Sequence, residues 1–99
     1  MKLYIVKYTA NEFDALGYDS LYPIFYSLDE NKARDFFENQ RNTNINHFND
    51  FLKTHPEYID NEDYEIADNE ENYLKYYMGN WFYEYMFDEI ELDKDLRYA

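Results

Sequence analysis

The chain has 99 residues, a formal net charge of −13 at pH 7 and an aromatic content of 22%. This length fits one domain with a single modest core, and so many aromatic residues exclude an intrinsically disordered protein. The absence of cysteine excludes disulfides and thiolate metal sites, and the opening apolar run is too short for a signal peptide, so we expect a cytosolic protein.

The first third of the chain predicts two β-strands. Residues Lys2 to Tyr8 alternate and are rich in β-branched and aromatic side chains, which is typical of a strand. A second strand is predicted from Leu21 to Leu28, and Pro23 near its start fits an edge position better than a central one. Because the polar loop between them is long for a hairpin, we expect an antiparallel pair whose register the sequence does not define.

The middle of the chain predicts helical structure in two pieces. Ser27 or Asp29 can cap the first helix, because a short polar side chain there accepts hydrogen bonds from free backbone amides. The asparagine-rich segment from Asn39 to Asn46 is a poor helix former and is expected to divide the element. A second helix then runs from about Asn44 to Thr54, where the following His55-Pro56 ends it. The apolar residues expected on the helix faces are Ala33, Phe36, Phe37, Ile45, Phe48, Phe51 and Leu52.

The segment from Asp68 to Phe87 has two interpretations. A helix is favoured because six apolar residues follow a period of 3.6. The alternative is a hairpin, in which Gly79-Asn80 forms a two-residue turn between two aromatic strands. The apolar row of the helical interpretation consists of Leu74, Tyr77, Met78, Trp81, Phe82 and Tyr85.

The flanking segments complete the predicted fold. A loop or short strand is expected around Tyr64 to Ile66, and the alternation from Asp88 to Asp93 predicts a short strand with one acidic face. The expected fold is a small, single α+β domain over residues 1–99. It has an N-terminal antiparallel strand pair, a helical middle, and an acidic, aromatic-rich C-terminal helix plus a short strand.

Most of the negative charge lies in the last part of the chain. From Glu57 to Ala99 there are fourteen carboxylates and three basic side chains, a local charge of −11. Carboxylates three or four residues apart on a helix lie about 5–6 Å apart, so a rigid row of them could occupy Lys and Arg sites that normally bind phosphates. The alternative is a solvated surface that only adds solubility. The acidic candidates for partner binding are Asp60, Glu62, Asp63, Glu65, Asp68, Glu70, Glu71, Glu84, Asp88, Glu89, Glu91 and Asp93.

Tyrosines supply the other candidate contacts. The aromatic residues between Tyr73 and Phe87 cannot all face one side of a helix. Most of them are expected in the core, whereas Tyr76 and Tyr83 are predicted to point outward, where tyrosine is a favoured interface anchor.

The sequence offers no pattern for a cofactor, a dedicated metal site or catalysis. The acidic segment around Asp60 and Glu62 lacks the EF-hand spacing and its glycine, and His47 and His55 do not share a helical face. Nucleophile-elbow, phosphate-loop and paired-histidine motifs are absent from the sequence, so we expect a protein that is not an enzyme. No segment approaches transmembrane length, and we expect no membrane contact.

Small size, absence of cysteine, strong acidity, tyrosine richness and a bias towards residues with AT-rich codons occur together in this chain. In this combination, carried by Glu57–Glu71 and Glu84–Asp95, the chain resembles phage-encoded, DNA-mimicking anti-CRISPR and anti-restriction proteins. The resemblance implies an inhibitor that acts in the cytoplasm of an infected bacterial host and blocks the basic DNA-binding cleft of a nuclease. Its partner would be a nucleic-acid-binding protein rather than nucleic acid itself.

Two other functions remain open at this level. The chain could be an interaction module, such as a phage assembly or regulatory factor, that binds a basic protein without competing with DNA. It could also be an oligomeric structural protein, for example a homodimer, in which aromatic residues pair between copies.

Overall fold

A computed structural model of the chain describes residues 1–12 and 21–92 and shows an α+β domain. Its strands are β1 (Lys2–Glu12), β2 (Tyr22–Ser27), β3 (Ile66–Glu70), β4 (Tyr73–Met78) and β5 (Trp81–Glu91). One helix, α1 (Glu30–Thr54), and a short 3-10 helix, Pro56–Tyr58, lie between β2 and β3. All neighbouring strands are antiparallel, and their order across the sheet is β2-β1-β5-β4-β3.

The N-terminal strand pair was predicted correctly. β1 pairs with β2 in antiparallel register, with Tyr4 opposite Ser27 and Tyr8 opposite Tyr22. β2 is an edge strand, as Pro23 indicated, because proline has no amide to donate to a second neighbour. On its other side β1 pairs with β5 along its whole length, from Lys2 opposite Glu91 to Glu12 opposite Trp81.

The prediction of two helices in the middle of the chain was wrong, because α1 is continuous through the asparagine-rich segment. Asn44 is satisfied within the fold: its amide donates to the Gln40 carbonyl at 2.7 Å, and its Oδ1 accepts from the Tyr76 hydroxyl at 2.7 Å. Phe37 and Phe48 are buried on either side of this segment. Tertiary packing therefore outweighs the weak helix propensity of asparagine, which amounts to under about 0.7 kcal/mol per residue.

The ends of α1 follow the predicted signals. Asp29 is the N-cap, and its Oδ1 accepts hydrogen bonds from the backbone amides of Asn31 at 2.9 Å and Lys32 at 3.3 Å. Ser27 does not cap the helix; its hydroxyl accepts a hydrogen bond from the Asp29 amide at 2.9 Å. The helix ends at Thr54, two residues before Pro56.

The favoured helix from Asp68 to Phe87 was also wrong, and the hairpin alternative is correct. β4 and β5 pair from Tyr73 opposite Met86 to Met78 opposite Trp81, around the turn at Gly79-Asn80. Gly79 has φ +67°, a conformation that glycine adopts without the steric cost of a side chain. β3 comes before this hairpin, and the predicted strand from Asp88 onward continues β5 to Glu91, while Asp93 lies outside the described residues.

Helix α1 covers one face of the sheet, and the main core lies between them. Val6, Phe37 and Leu74 are completely buried there, and burial of each such side chain stabilises the fold by about 1.5–3 kcal/mol. Phe25 of β2 stacks on Phe36 of α1 with ring centroids 4.5 Å apart. Side chains alternate along a strand, so Ile5 projects away from α1 while its neighbour Val6 faces the helix. We call the side of the sheet that α1 does not cover the open face.

Candidate partner-binding surface

Seven of the predicted acidic residues form one continuous part of the chain between the 3-10 helix and β4. All seven are exposed. We call this set the acidic edge, and it consists of Asp60, Glu62, Asp63 and Glu65 of the loop, Asp68 and Glu70 of β3, and Glu71 of the β3–β4 turn. Within residues 1–12 and 21–92, none of these carboxylates lies within 4.0 Å of a basic nitrogen. Among the described residues, these carboxylates are therefore unpaired.

The edge strand β3 sets the spacing of the central acids. The pairing with β4 places Asp68 opposite Lys75 and Glu70 opposite Tyr73, after a bulge between Ile66 and Asp68. Residues two apart on a strand are separated by about 6.6–6.8 Å and share a face. Asp68 and Glu70 therefore present two carboxylates on the open face, about 6.6–6.8 Å apart along the strand.

Two arginines of α1 hold the end of the acidic edge against the helix. Arg34 donates to the Glu71 carbonyl at 3.0 Å and to Asn72 Oδ1 at 2.7 Å. Arg41 donates to the carbonyls of Glu70 and Glu71 and to the Glu38 carboxylate. Because these arginines bind the backbone of the edge and not its carboxylates, they fix its position without neutralising it.

The arginines are themselves held by aromatic rings. The guanidinium carbon of Arg34 lies 3.9 Å from the centroid of the Phe87 ring, and that of Arg41 lies 4.8 Å from the centroid of Phe37. Such cation–π contacts are worth about 0.5–2 kcal/mol, depending on exposure. These arginines were not predicted as site residues, although Arg34, Glu38 and Arg41 have the i, i+4, i+7 spacing of one helical face.

A column of aromatic rings supports the loop that carries the other acids. Tyr64 stacks on Tyr58 with centroids 4.2 Å apart, and Phe51 of α1 stacks on His55 at 4.3 Å and on Tyr64 at 5.7 Å. The loop is also joined to the β4–β5 hairpin, because the Gly79 amide donates to the carbonyl of Asp63 at 2.8 Å. The loop carboxylates are thus displayed from an ordered backbone.

Three acids near the end of β5 have a different environment, because each lies beside a cation of β1 or the N-terminal amine. Asp88 accepts from Lys7 at 2.8 Å and Glu89 from Lys2 at 3.4 Å. Glu91 accepts from the N-terminal amine at 3.1 Å. The hydrogen bond from Lys7 lowers the pKa of Asp88, and the hydrogen bond and charge of Glu89 raise the pKa of Lys2. These predicted site residues are therefore paired within the chain.

The remaining predicted site residues that the structure describes are buried or partly buried. Glu84 is only 8% exposed and accepts a hydrogen bond from the Tyr73 hydroxyl at 2.6 Å. Burial, together with that hydrogen bond and the Glu84 charge, raises the pKa of Tyr73. The prediction that Tyr76 points outward is wrong, because Tyr76 is buried at 5% exposure in the core beneath α1. Tyr83 is partly buried and stacks on Tyr76 with centroids 4.9 Å apart.

The described residues contain neither a cluster of three potential metal ligands nor a helix long and apolar enough to cross a membrane. Two small clefts are lined mainly by acidic and polar residues. One, of about 300 Å³, lies beside the β3–β4 turn and is lined by Glu30, Arg34, Glu71, Asn72, Phe87, Asp88 and Glu89.

Comparison of the chain with protein-family models, with curated proteins and with solved structures finds no match.

Proposed function

We propose that this protein is a non-enzymatic inhibitor whose acidic edge occupies the basic nucleic-acid-binding cleft of a defence nuclease, such as a CRISPR effector or a restriction enzyme. It would act in the cytoplasm of an infected bacterial host. The observation that supports this function most directly is the acidic edge itself: seven exposed carboxylates without a cationic partner among the described residues.

The acidic edge has a cost in folding free energy. Like charges close together oppose folding through self-repulsion, so carboxylates that form no ion pair among the described residues lower the stability of the free protein. The same chain pairs Asp88 and Glu89 with lysines of β1 and Glu91 with the N-terminal amine. The contrast indicates that the acidic edge is kept for an external cation.

The backbone of the acidic edge is already ordered in the free protein. Arg41 and the stacked rings of Tyr58 and Tyr64 hold the backbone of the acidic edge before any partner arrives. A surface that is already ordered loses less conformational entropy on binding, and this raises its affinity for a complementary cleft. The negative field would also steer association with a basic protein, at a rate that falls as ionic strength rises.

The spacing of Asp68 and Glu70 favours one kind of contact within such a cleft. A DNA strand winds around the helix axis, so its neighbouring phosphates are farther apart in space than their rise of about 3.4 Å along that axis. Two carboxylates about 6.6–6.8 Å apart therefore resemble neighbouring phosphates of one strand. Both acids lie on the single strand β3, so the pair matches one phosphate backbone and not the two backbones of a duplex. We therefore expect the acidic edge to occupy the groove that binds a single phosphate backbone.

The test is competition between this protein and DNA for a panel of CRISPR effectors and restriction nucleases. The protein should lower DNA binding and cleavage, and its own affinity for the target should fall as salt rises. Binding to a nuclease that leaves DNA binding unchanged would instead support an interaction module that does not compete with DNA.

A pair of variants separates the acidic edge from total charge. Asp68→Lys with Glu70→Lys changes the net charge by +4, from −13 to −9, and so does Asp35→Lys with Asp50→Lys on exposed positions of α1. We expect the first pair to weaken inhibition by at least about tenfold, because each reversal places a cation against the cations of the cleft. The second pair should change inhibition by no more than about twofold. Equal losses in both pairs would contradict a specific role for the acidic edge.

A further inference from the structure

Lys75 of β4 lies between two acids on the open face. It is directly opposite Asp68 of β3 on one side and Glu84 of β5 on the other. Directly opposite residues of neighbouring strands share a face, with Cβ atoms about 4.5–5.5 Å apart, so the long lysine side chain is able to reach either carboxylate. The register by itself therefore predicts an ion pair that would neutralise part of the acidic edge.

The structure shows a different contact for this lysine. Among the described residues, no carboxylate lies within 4.0 Å of Lys75 Nζ. Nζ lies instead 5.2 Å from the centroid of the Phe82 ring and 5.6 Å from that of the Tyr77 ring. Tyr77 is two residues further along β4 and lies opposite Phe82. The lysine side chain therefore runs along β4 towards the turn at Gly79-Asn80.

Glu84 has a hydrogen-bond donor other than Lys75. The Tyr73 hydroxyl donates to the Glu84 carboxylate at 2.6 Å. Burial, together with this hydrogen bond, raises the pKa of Tyr73, so its hydroxyl keeps its proton and remains a donor at neutral pH. Asp68, in contrast, forms no ion pair among the described residues. The position of Lys75 therefore decides whether Asp68 is neutralised.

The aromatic rings bind this lysine better than the exposed carboxylate does. An ion pair with an exposed acid contributes little, because water screens the charges and a long side chain loses freedom. A cation–π contact grows stronger as the ring and the cation lose water, and Phe82 is only 7% exposed. We infer that Tyr77 and Phe82 are positioning residues, which hold Lys75 away from Asp68 and so keep that carboxylate unpaired. The use of the unpaired charge rests on the proposed function, whereas the position of the lysine does not.

NMR spectroscopy of the full chain tests the position of the lysine. The ring currents of Tyr77 and Phe82 should shift the ε-methylene protons of Lys75 upfield from those of Lys53, an exposed lysine of α1. Tyr77→Leu should move these protons towards the Lys53 position. Trp81→Leu is the matched control, because it removes a neighbouring ring of β5 that points to the opposite face, and it should leave the shift unchanged. Resonances of Lys75 at the Lys53 position in the unmodified chain would overturn the inference.

A double-mutant cycle by urea denaturation tests what the rings prevent. In the unmodified chain, Asp68→Asn and Lys75→Met should change the unfolding equilibrium constant independently, because the two charges are not paired. In Tyr77→Leu the released lysine should pair with Asp68, so that the two substitutions become coupled by about threefold or more. This coupling should disappear in about 1 M NaCl, which screens an ion pair but not a structural effect of the lost ring. Trp81→Leu should show no coupling.

Two outcomes of this cycle would refute the assignment: no coupling in either Tyr77→Leu or Phe82→Leu, or equal coupling in Trp81→Leu. Tyr77 is only partly buried, so Tyr77→Leu decides the question if Phe82→Leu does not fold. Neither measurement needs a partner, so the inference can fail while the inhibitory function stands. If the function also holds, Tyr77→Leu should weaken inhibition of the target nuclease and the addition of Lys75→Met should restore it. A chain that shows the coupling but inhibits no nuclease would contradict the proposed function alone.

Discussion

The acids of β5 and the acids of the acidic edge belong to the same residue types and the same half of the chain, yet their environments differ. Asp88, Glu89 and Glu91 each lie within 3.4 Å of a cation contributed by β1 or the N-terminus. The carboxylates of the acidic edge have no such neighbour among the described residues, because β3 is the outermost strand and its nearby arginines bind carbonyl groups. The charge that a surface offers to a partner thus depends on which strand lies beside it, and not on the number of acids in the sequence.

Replacement of Arg41, whose side chain is only 12% exposed, should cause the largest loss of stability at the acidic edge. Arg41→Ala removes the hydrogen bonds to the carbonyls of Glu70 and Glu71, and it should lower the free energy of unfolding by about 2–3 kcal/mol. Urea denaturation measures this change. Arg41→Lys is the control. It keeps the charge but lacks the planar guanidinium group with its several donors, so it should recover less than half of the lost free energy of unfolding. A stability of Arg41→Ala close to that of the unmodified chain would show that the acidic edge is held by other contacts.

Removal of a ring from the aromatic column should have the next largest effect. Tyr64→Ala deletes the stacking on Tyr58 and Phe51 and should cost about 1–2 kcal/mol. The backbone amides of Tyr77 and Gly79, which donate to loop carbonyls, should exchange hydrogen faster in this variant. Tyr64→Phe keeps the stacking and should behave like the unmodified chain in both measurements. Unchanged exchange in Tyr64→Ala would mean that the loop does not depend on the column.

Salt should stabilise the protein, because it screens the repulsion between the unpaired acids. It also weakens the ion pairs of β5, but these contribute little to stability. We expect the melting temperature to rise by about 2–5 °C between low salt and about 0.5 M NaCl, equivalent to under about 1 kcal/mol. The rise should be smaller in Asp68→Lys with Glu70→Lys than in Asp35→Lys with Asp50→Lys, which has the same net charge. A melting temperature that falls with salt would show that attractive pairs outweigh the repulsion.

Breaking the ion pair between Asp88 and Lys7 should cause the smallest loss of stability, and this loss should depend on pH. Because the folded pKa of Asp88 is below its usual value, its ionised form stabilises the fold above the unfolded pKa of about 4. This contribution is lost as pH falls through the lower folded pKa. Asp88→Asn should therefore cost less than about 1 kcal/mol at pH 7, since the carboxylate is 39% exposed, and close to nothing near pH 2. Urea denaturation at both pH values checks this, and an equal cost at both would exclude the ion pair as the cause.

Local sequence signals specified several parts of the fold. The alternation of residues 2–8 predicted β1, Pro23 predicted an edge strand, and Asp29 and Pro56 predicted the limits of α1, because capping and proline geometry act within a few residues. The acidic character of residues 60–71 was also readable. The same signals failed from Asp68 to Phe87, where an aromatic-rich segment matched the helical period as well as a hairpin.

Tertiary structure decided what local signals could not. The choice of hairpin over helix depended on β1, which offers β5 a partner along all of its eleven residues. The pairing of Lys7 with Asp88 joins residues 81 apart, and the bond from Arg41 to the Glu70 carbonyl joins residues 29 apart. Contacts between residues so far apart in the chain produce no repeating pattern of residue types that a single sequence would reveal. For this reason the acidic residues could be counted before the structure was known, whereas the neutralised and the available carboxylates could be distinguished only afterwards.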